Sequence, residues 1–195
     1  MRLNRRSIAN LLTAALLVVS SFGCGENNRN TSPIDLIVTN TQTISQVDLA
    51  GGTTCSSTIG TINIQALIKA LPTTTLPADN RFNDVTITKY RVTYVRTDGG
   101  TQVPAPFLRT TSQLVLAGGT TATLNDFLIL QSDALSQAPF VALLPGNGGR
   151  DPQTGRPFVG MDVVVELFGQ TLAGEDVYGS TRFPLDFCYS CGGCS

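Results

Sequence analysis

The chain has 195 residues, with 13 Lys+Arg against 14 Asp+Glu, and no histidine. A formal net charge of −1 without a basic patch argues against nucleic acid, whose phosphates demand clustered Lys and Arg. The missing imidazole excludes Ser-His-Asp and Cys-His catalysis and the most frequent transition-metal ligand, leaving carboxylate, Lys or Tyr chemistry for any enzyme.

At the start, Arg2, Arg5 and Arg6 make a positive head and Ile8 to Val19 an apolar run. Ser20-Ser21-Phe22-Gly23 then lead to Cys24. The apolar run is well short of the roughly 20 residues that carry a helix across a bilayer. This pattern resembles the signal peptide of bacterial lipoproteins. The resemblance implies cleavage after Gly23 and acylation of the Cys24 thiol, palmitate included. An ordinary secretory signal and a retained anchor are the alternatives, and Arg5-Arg6-Ser7-Ile8 also resembles a twin-arginine export signal. Gly25 after Cys24, where Asp would be a retention signal in such lipoproteins, implies the outer membrane, facing the periplasm or the surface. Loss of residues 1–23 removes three arginines, leaving ten cations against fourteen acids and a net charge of −4. The polar stretch 25–32 reads as a flexible tether. The expected organisation is therefore a signal at 1–23, lipidated Cys24 and tether at 24–33, a β-domain at 34–187 and a cysteine-rich tail at 188–195.

Further along, Ile62, Ile64, Ala66 and Ile68 alternate within a strand over Thr61–Ile68. Tyr90, Val92 and Tyr94 share one face, with Lys89, Arg91 and Thr93 on a wet one. Val85 and Ile87 have the opposite parity, which predicts a bulge near Thr88-Lys89. Turns follow at Asp98-Gly99-Gly100 and Gly118-Gly119. Asp133 to Ala138 is the one helical candidate, capped by Asp133 and stopped before Pro139. Pro145 to Pro152 starts a long irregular loop reaching towards Pro157. Met161, Val163, Val165 and Leu167 predict another strand, and a turn follows at Leu172–Asp176. Phe183, Leu185 and Phe187 predict the last strand, and Pro184, lacking a backbone donor, assigns it to a sheet edge. Short strands with frequent turns, no long amphipathic helix and no internal repeat point to an all-β, antiparallel β-sandwich.

Ile87-Thr88-Lys89-Tyr90-Arg91-Val92-Thr93-Tyr94 resembles the third strand of fibronectin type III domains. Thr121-Ala122-Thr123-Leu124 resembles the strand before their long crossover. Val163 to Phe168, with the Gly174 turn and Ser180, is similar to their final two strands. The likeness spans Cys55 to Phe187 and implies an immunoglobulin/fibronectin III-like sandwich; the stretch Phe127–Phe158 is longer than the family's crossover. An immunoglobulin-like variant or another Greek-key sandwich fits the same residues. The whole chain also resembles predicted bacterial lipoproteins of unknown function.

Four cysteines follow Cys24: Cys55, Cys188, Cys191 and Cys194. An even number in an oxidising compartment favours disulfides, with three possible pairings. The fibronectin-like arrangement implies that Cys55 meets Cys188, leaving Cys191 with Cys194. The competing reading is a zinc or iron–sulfur site built from Cys-x-x-Cys-x-x-Cys and Cys55; reactive thiols are a third. Asp151, Asp162, Glu166, Glu175 and Asp176 are potential calcium ligands, but solvated carboxylates account for them more simply. Lys89 and Arg91 read as an ordinary wet strand face, and Gly146, Gly148 and Gly149 lack the strand and helix of a phosphate cradle.

The expectation is a lipid-anchored envelope protein presenting a non-catalytic β-sandwich in a structural or binding role. It has no catalytic residue, no cofactor and no metal. Its partners would be the membrane, through the N-terminal lipid, and an envelope protein or surface ligand whose identity the sequence leaves open, with no nucleic acid. The alternative is a small envelope metal or redox protein using the C-terminal cysteines.

Overall fold

The computed structural model describes residues 32–41, 46–50, 58–69 and 81–191. The signal segment, Cys24, Cys55 and Cys194 lie outside the described residues. Eight strands follow in order: β1 (Ile34–Asn40), β2 (Gln46–Asp48), β3 (Thr58–Ile68), β4 (Val85–Arg96), β5 (Phe107–Val115), β6 (Thr121–Leu128), β7 (Phe158–Thr171) and β8 (Asp176–Cys188). They form a three-stranded sheet, β1-β3-β6, and a five-stranded sheet, β2-β8-β7-β4-β5, which curls as a half-barrel. Every pairing is antiparallel except β2 with β8. The fold is all-β, and the described residues contain no α-helix.

Strict alternation builds the core. Met161, Val163, Val165 and Leu167 of β7 are fully buried, while Asp162, Val164, Glu166 and Phe168 between them are partly exposed. Phe183 and Phe187 of β8 join Ile62, Ile64 and Ala66 of β3 within one continuous apolar cluster. Each such large side chain contributes roughly 1.5–3 kcal/mol on burial. The parity change in β4 takes the form the sequence predicts. Its register shifts between Ile87 and Lys89 against both β5 and β7, so Val85 and Ile87 stay inside together with Tyr90, Val92 and Tyr94.

The two buried tyrosines hold the start of the crossover between β6 and β7. Tyr94 donates to the Ile129 carbonyl at 2.7 Å, and the Tyr90 hydroxyl accepts from the Leu128 amide at 3.2 Å. Burial, with Asp133 nearby, pushes the Tyr94 phenol well above its ordinary value. The crossover itself is part of the core, since Ile129, Leu130, Phe140 and Leu143 are buried and Phe140 lies 5.0 Å from Phe187, ring to ring.

One expected element is corrected. The helix expected at Asp133–Ala138 is a single 3₁₀ stretch, Ser132–Ser136, with no side-chain cap at its start. Asp133 lies inside it, and its carbonyl accepts from the Ser136 hydroxyl at 2.8 Å. Five residues before a proline cannot offset the cost of nucleating an α-helix, and the apolar contacts of the crossover decide its path instead.

Ser32, just before β1, is buried; its hydroxyl accepts from the Ile34 amide and its carbonyl from Lys69. On one side the two sheets close together. Gly179 of β8 lies beneath β1, and a Cβ there would sit 2.7 Å from the Val38 side chain and 2.8 Å from the Leu36 carbonyl. On the opposite side β5 and β6 end their respective sheets without pairing to each other, leaving a groove between them. β8 has β2 along its outer side from Asp186 to Cys188, and Pro184 lies beyond that short pairing.

Candidate functional site

Two of the C-terminal cysteines, Cys188 and Cys191, form a local bridge. Cys188, the last residue of β8, is bonded to Cys191, with Cα atoms 5.9 Å apart. This corrects the expected Cys55–Cys188 and Cys191–Cys194 pairings. Ser190, at φ 53°, turns the chain sharply after β8 and returns Cys191 to Cys188, within the usual Cα span of about 4.4–6.8 Å. Asp48 anchors the turn: its carboxylate accepts from the amides of Ser190 at 2.8 Å and Ala50 at 2.9 Å. The Leu49 amide completes the junction by donating to the Cys188 carbonyl at 2.7 Å. The bridge therefore sits on the β2–β8 junction.

A second cluster overturns the reading of Asp151 as a solvated carboxylate. Asp151 is fully buried and lies beside Arg96 and Asp98, whose side chains are 2% and 3% exposed. Arg96, at the end of β4, donates two parallel bonds to Asp98, at 2.7 and 2.8 Å, and a third to Asp151 at 2.8 Å. Asp98 also accepts from the amides of Gly100 and Gly160, and Asp151 from the amide and hydroxyl of Thr154. A Cβ at Gly100 would collide with the Arg96 guanidinium, so a side chain there requires Arg96 to shift from this pairing. Burial alone would raise the Asp98 carboxyl. The Arg96 bonds and the two amides override it and hold the group at about 2. Asp151 is lowered and Arg96 raised by the same opposition of burial and pairing. Gln153 extends the contact by accepting from the amides of Thr101 and Gln102. The cluster clamps the 151–156 loop onto the turn after β4.

The outer face of the large sheet is more ordered than a wet strand face. Arg91 of β4 makes two bonds to Glu166 of β7, at 2.5 and 2.9 Å, and Tyr178 of β8 donates to the same carboxylate at 2.9 Å. The Arg91 bond, with that of Tyr178, lowers Glu166 despite partial burial. The Phe168 ring packs against Tyr178 at 5.5 Å, with the Lys89 ammonium 5.5 Å and the Arg91 guanidinium 5.6 Å from its centre. These contacts span three strands and leave Tyr178 43% exposed. The array offers an aromatic and hydrogen-bonding surface on which Arg91 and Glu166 satisfy each other's charge.

Asp162 faces Arg182 at 3.6 Å, and Asp176 accepts from Gln170. The five carboxylates considered for calcium are thus distributed over the crossover loop, two strands and a turn. Among the described residues, no three His, Cys, Asp or Glu side chains converge as a metal site. The groove between β5 and β6, about 530 Å³, is lined by Tyr90, Leu108, Arg109, Leu124, Asn125 and Phe127, among others. Arg109 projects there from an edge strand; nothing in its local sequence pattern marks it. No protein-family model, curated protein or solved structure gives a significant match to the chain.

Proposed function

We propose that this chain is an envelope lipoprotein, anchored through acylated Cys24, that holds an immunoglobulin/fibronectin III-like module away from the membrane as a non-catalytic binding or structural domain. The observation that carries the anchoring is the sequence Arg2-to-Gly23 followed by Cys24. Its apolar run is long enough for a signal and too short for a span. Acylation by several chains is what stable anchoring requires, since each buried methylene contributes about 0.8 kcal/mol and one chain holds only marginally. The absence of histidine supports a role without acid–base or nucleophile chemistry.

The finer fold assignment is supported by strand order. β1-β3-β6 against β8-β7-β4-β5 follows the arrangement in which strands A, B and E face G, F, C and C′, and the two final strands form the expected hairpin. The departures are β2, a short parallel strand added outside β8, and the buried crossover between β6 and β7, which adds core of its own. The Cys188–Cys191 bridge weighs against the metal alternative, because it consumes two of the four thiolates that a Cys-x-x-Cys-x-x-Cys site with Cys55 would need.

The test is direct. Replacing Cys24→Ser should move the protein from the membrane fraction to the soluble envelope fraction, and the wild-type protein should take up radiolabelled palmitate. A Cys24→Ser protein that still sediments with membranes after a high-salt wash refutes the lipid anchor.

A further inference from the structure

We infer that β5 is a self-complementary edge through which two copies of this chain pair, antiparallel, about a two-fold axis at Thr111. β5 is nine residues long and ends the five-stranded sheet, with no described strand on its outer side. Within Phe107–Val115 it carries no proline, no lysine and no acid; its guards are the single charge of Arg109 and the register irregularity against β4 at Thr111-Ser112. On its outward face Leu108 and Leu114 are 58% and 51% exposed, with Thr110 and Ser112 exposed between them.

The side-chain order supplies the occupant. Read from either end, Phe107-Leu108-Arg109-Thr110-Thr111-Ser112-Gln113-Leu114-Val115 has nearly the same chemistry. An antiparallel pair centred on Thr111 sets Leu108 opposite Leu114 of the second copy, and Thr110 opposite Ser112. On the inner face it sets Phe107 opposite Val115, and Arg109 opposite the neutral Gln113. Cross-strand neighbours in such a ladder interact directly, so this register joins leucine to leucine and hydroxyl to hydroxyl twice over. A shift to a centre at Arg109 would oppose two guanidinium groups, and a centre at Thr110 would set each Leu108 against Ser112. Slips by one residue put outward side chains against inward ones and are excluded by the sheet faces. The charge pattern and the apolar pattern therefore select the same axis. A two-fold interface of this kind is closed, so it yields dimers rather than fibres. A strand pair alone buries less than the roughly 1,200 Å² of a stable complex, so association is expected to be weak in dilute solution.

Cysteine substitution in the full-length protein, purified in a mild non-ionic detergent and concentrated, reads the axis. Thr111→Cys places two thiols across the axis, where paired Cα atoms are about 4.5–5.5 Å apart, within disulfide range. Mild oxidation should give a non-reducing band at twice the mass that the purified protein shows as a reduced monomer. It should be at least five-fold stronger than for Thr110→Cys or for the wild-type protein with its native cysteines. Adding Leu108→Lys with Leu114→Lys, which opposes ammonium groups across the axis, should cut that band at least ten-fold. Leu108→Lys with Leu114→Glu, which opposes unlike charges, should restore it. Both pairs replace exposed side chains, and unchanged melting curves identify them as folded. Equal cross-linking at 110 and 111, or Lys/Glu behaving as Lys/Lys, overturns the pairing. A cross-linked band at any other mass, in place of the doubled one, also overturns it and assigns the edge to a different partner.

Discussion

Arg96 is the residue on which the end of β4 and the 151–156 loop depend. Its guanidinium is almost wholly out of water and carries two carboxylates, so the cluster is useful only while every member is present. Removing one partner from a buried ionic cluster leaves a charge with no compensation and typically costs about 3–5 kcal/mol. Arg96→Ala should therefore lower the unfolding free energy by about 3–5 kcal/mol, read by denaturant titration. Arg96→Lys should recover little of that, since a single ammonium cannot reproduce the fork to Asp98 and the bond to Asp151 together. A loss under about 1 kcal/mol for Arg96→Ala would mean the clamp is not formed in solution. The same residues set the acid limit. Asp98 titrates at about 2 in the folded protein against an ordinary value of 3.8, so the folded state binds the proton less tightly than the unfolded chain. The stability this supplies is complete above 3.8 and lost as the pH falls towards 2. Asp151 and Glu166, both lowered, act in the same direction. Denaturant midpoints should thus stay level down to about pH 5 and fall steeply between about 4 and 2. Asp98→Asn should flatten that fall; an unaltered profile would rule out Asp98 as its source.

At the scale of elements, the end of β8 shows how a short covalent link can serve a junction more than the global fold. The Cys188–Cys191 bridge spans a separation of three residues, where the expected Cys55–Cys188 link would have closed most of the domain. Loop-closure entropy makes the short bridge worth about 2 kcal/mol and the long one about 5. Selective reduction should therefore cost about 2 kcal/mol globally. Its local effect should be larger, because β2 is three residues long and depends on the turn that the bridge shapes. Hydrogen exchange at the Leu49 and Ser190 amides should accelerate on reduction while amides in the middle of β7 keep their protection. A loss near 5 kcal/mol would point to a long-range disulfide instead. The outer-face array connecting β4, β7 and β8 is of the opposite kind: its bonds are exposed and weak singly, and its interest lies in the surface it orders.

Over the whole molecule, legibility follows from how each feature is encoded. Strands buried on one face state themselves by alternation, and β3, β4, β7 and β8 are legible in Ile62-to-Ile68, Tyr90-to-Tyr94, Met161-to-Leu167 and Phe183-to-Phe187. The β4 bulge is legible too, because a strand whose apolar parity switches can keep both halves inside only by inserting an extra residue. β1 and β5 are not singled out by their own residues. Edge strands meet water along one side, and Leu108, Arg109 and Thr110 of β5 are all exposed, so the periodic signal fades there. The sequence by itself determined the all-β class, the main strands and the exclusion of imidazole chemistry, since these depend on local pattern and composition. Tertiary structure alone decided that Asp151 meets Arg96 across 55 residues and that Glu166 meets Arg91 across 75. It also decided that Cys188 turns back on Cys191 and that the two sheets close at Gly179 while remaining open beside β5. Those outcomes depend on which distant surfaces pack together, and an aspartate that will be buried in an ion cluster reads, in one dimension, like an aspartate in water.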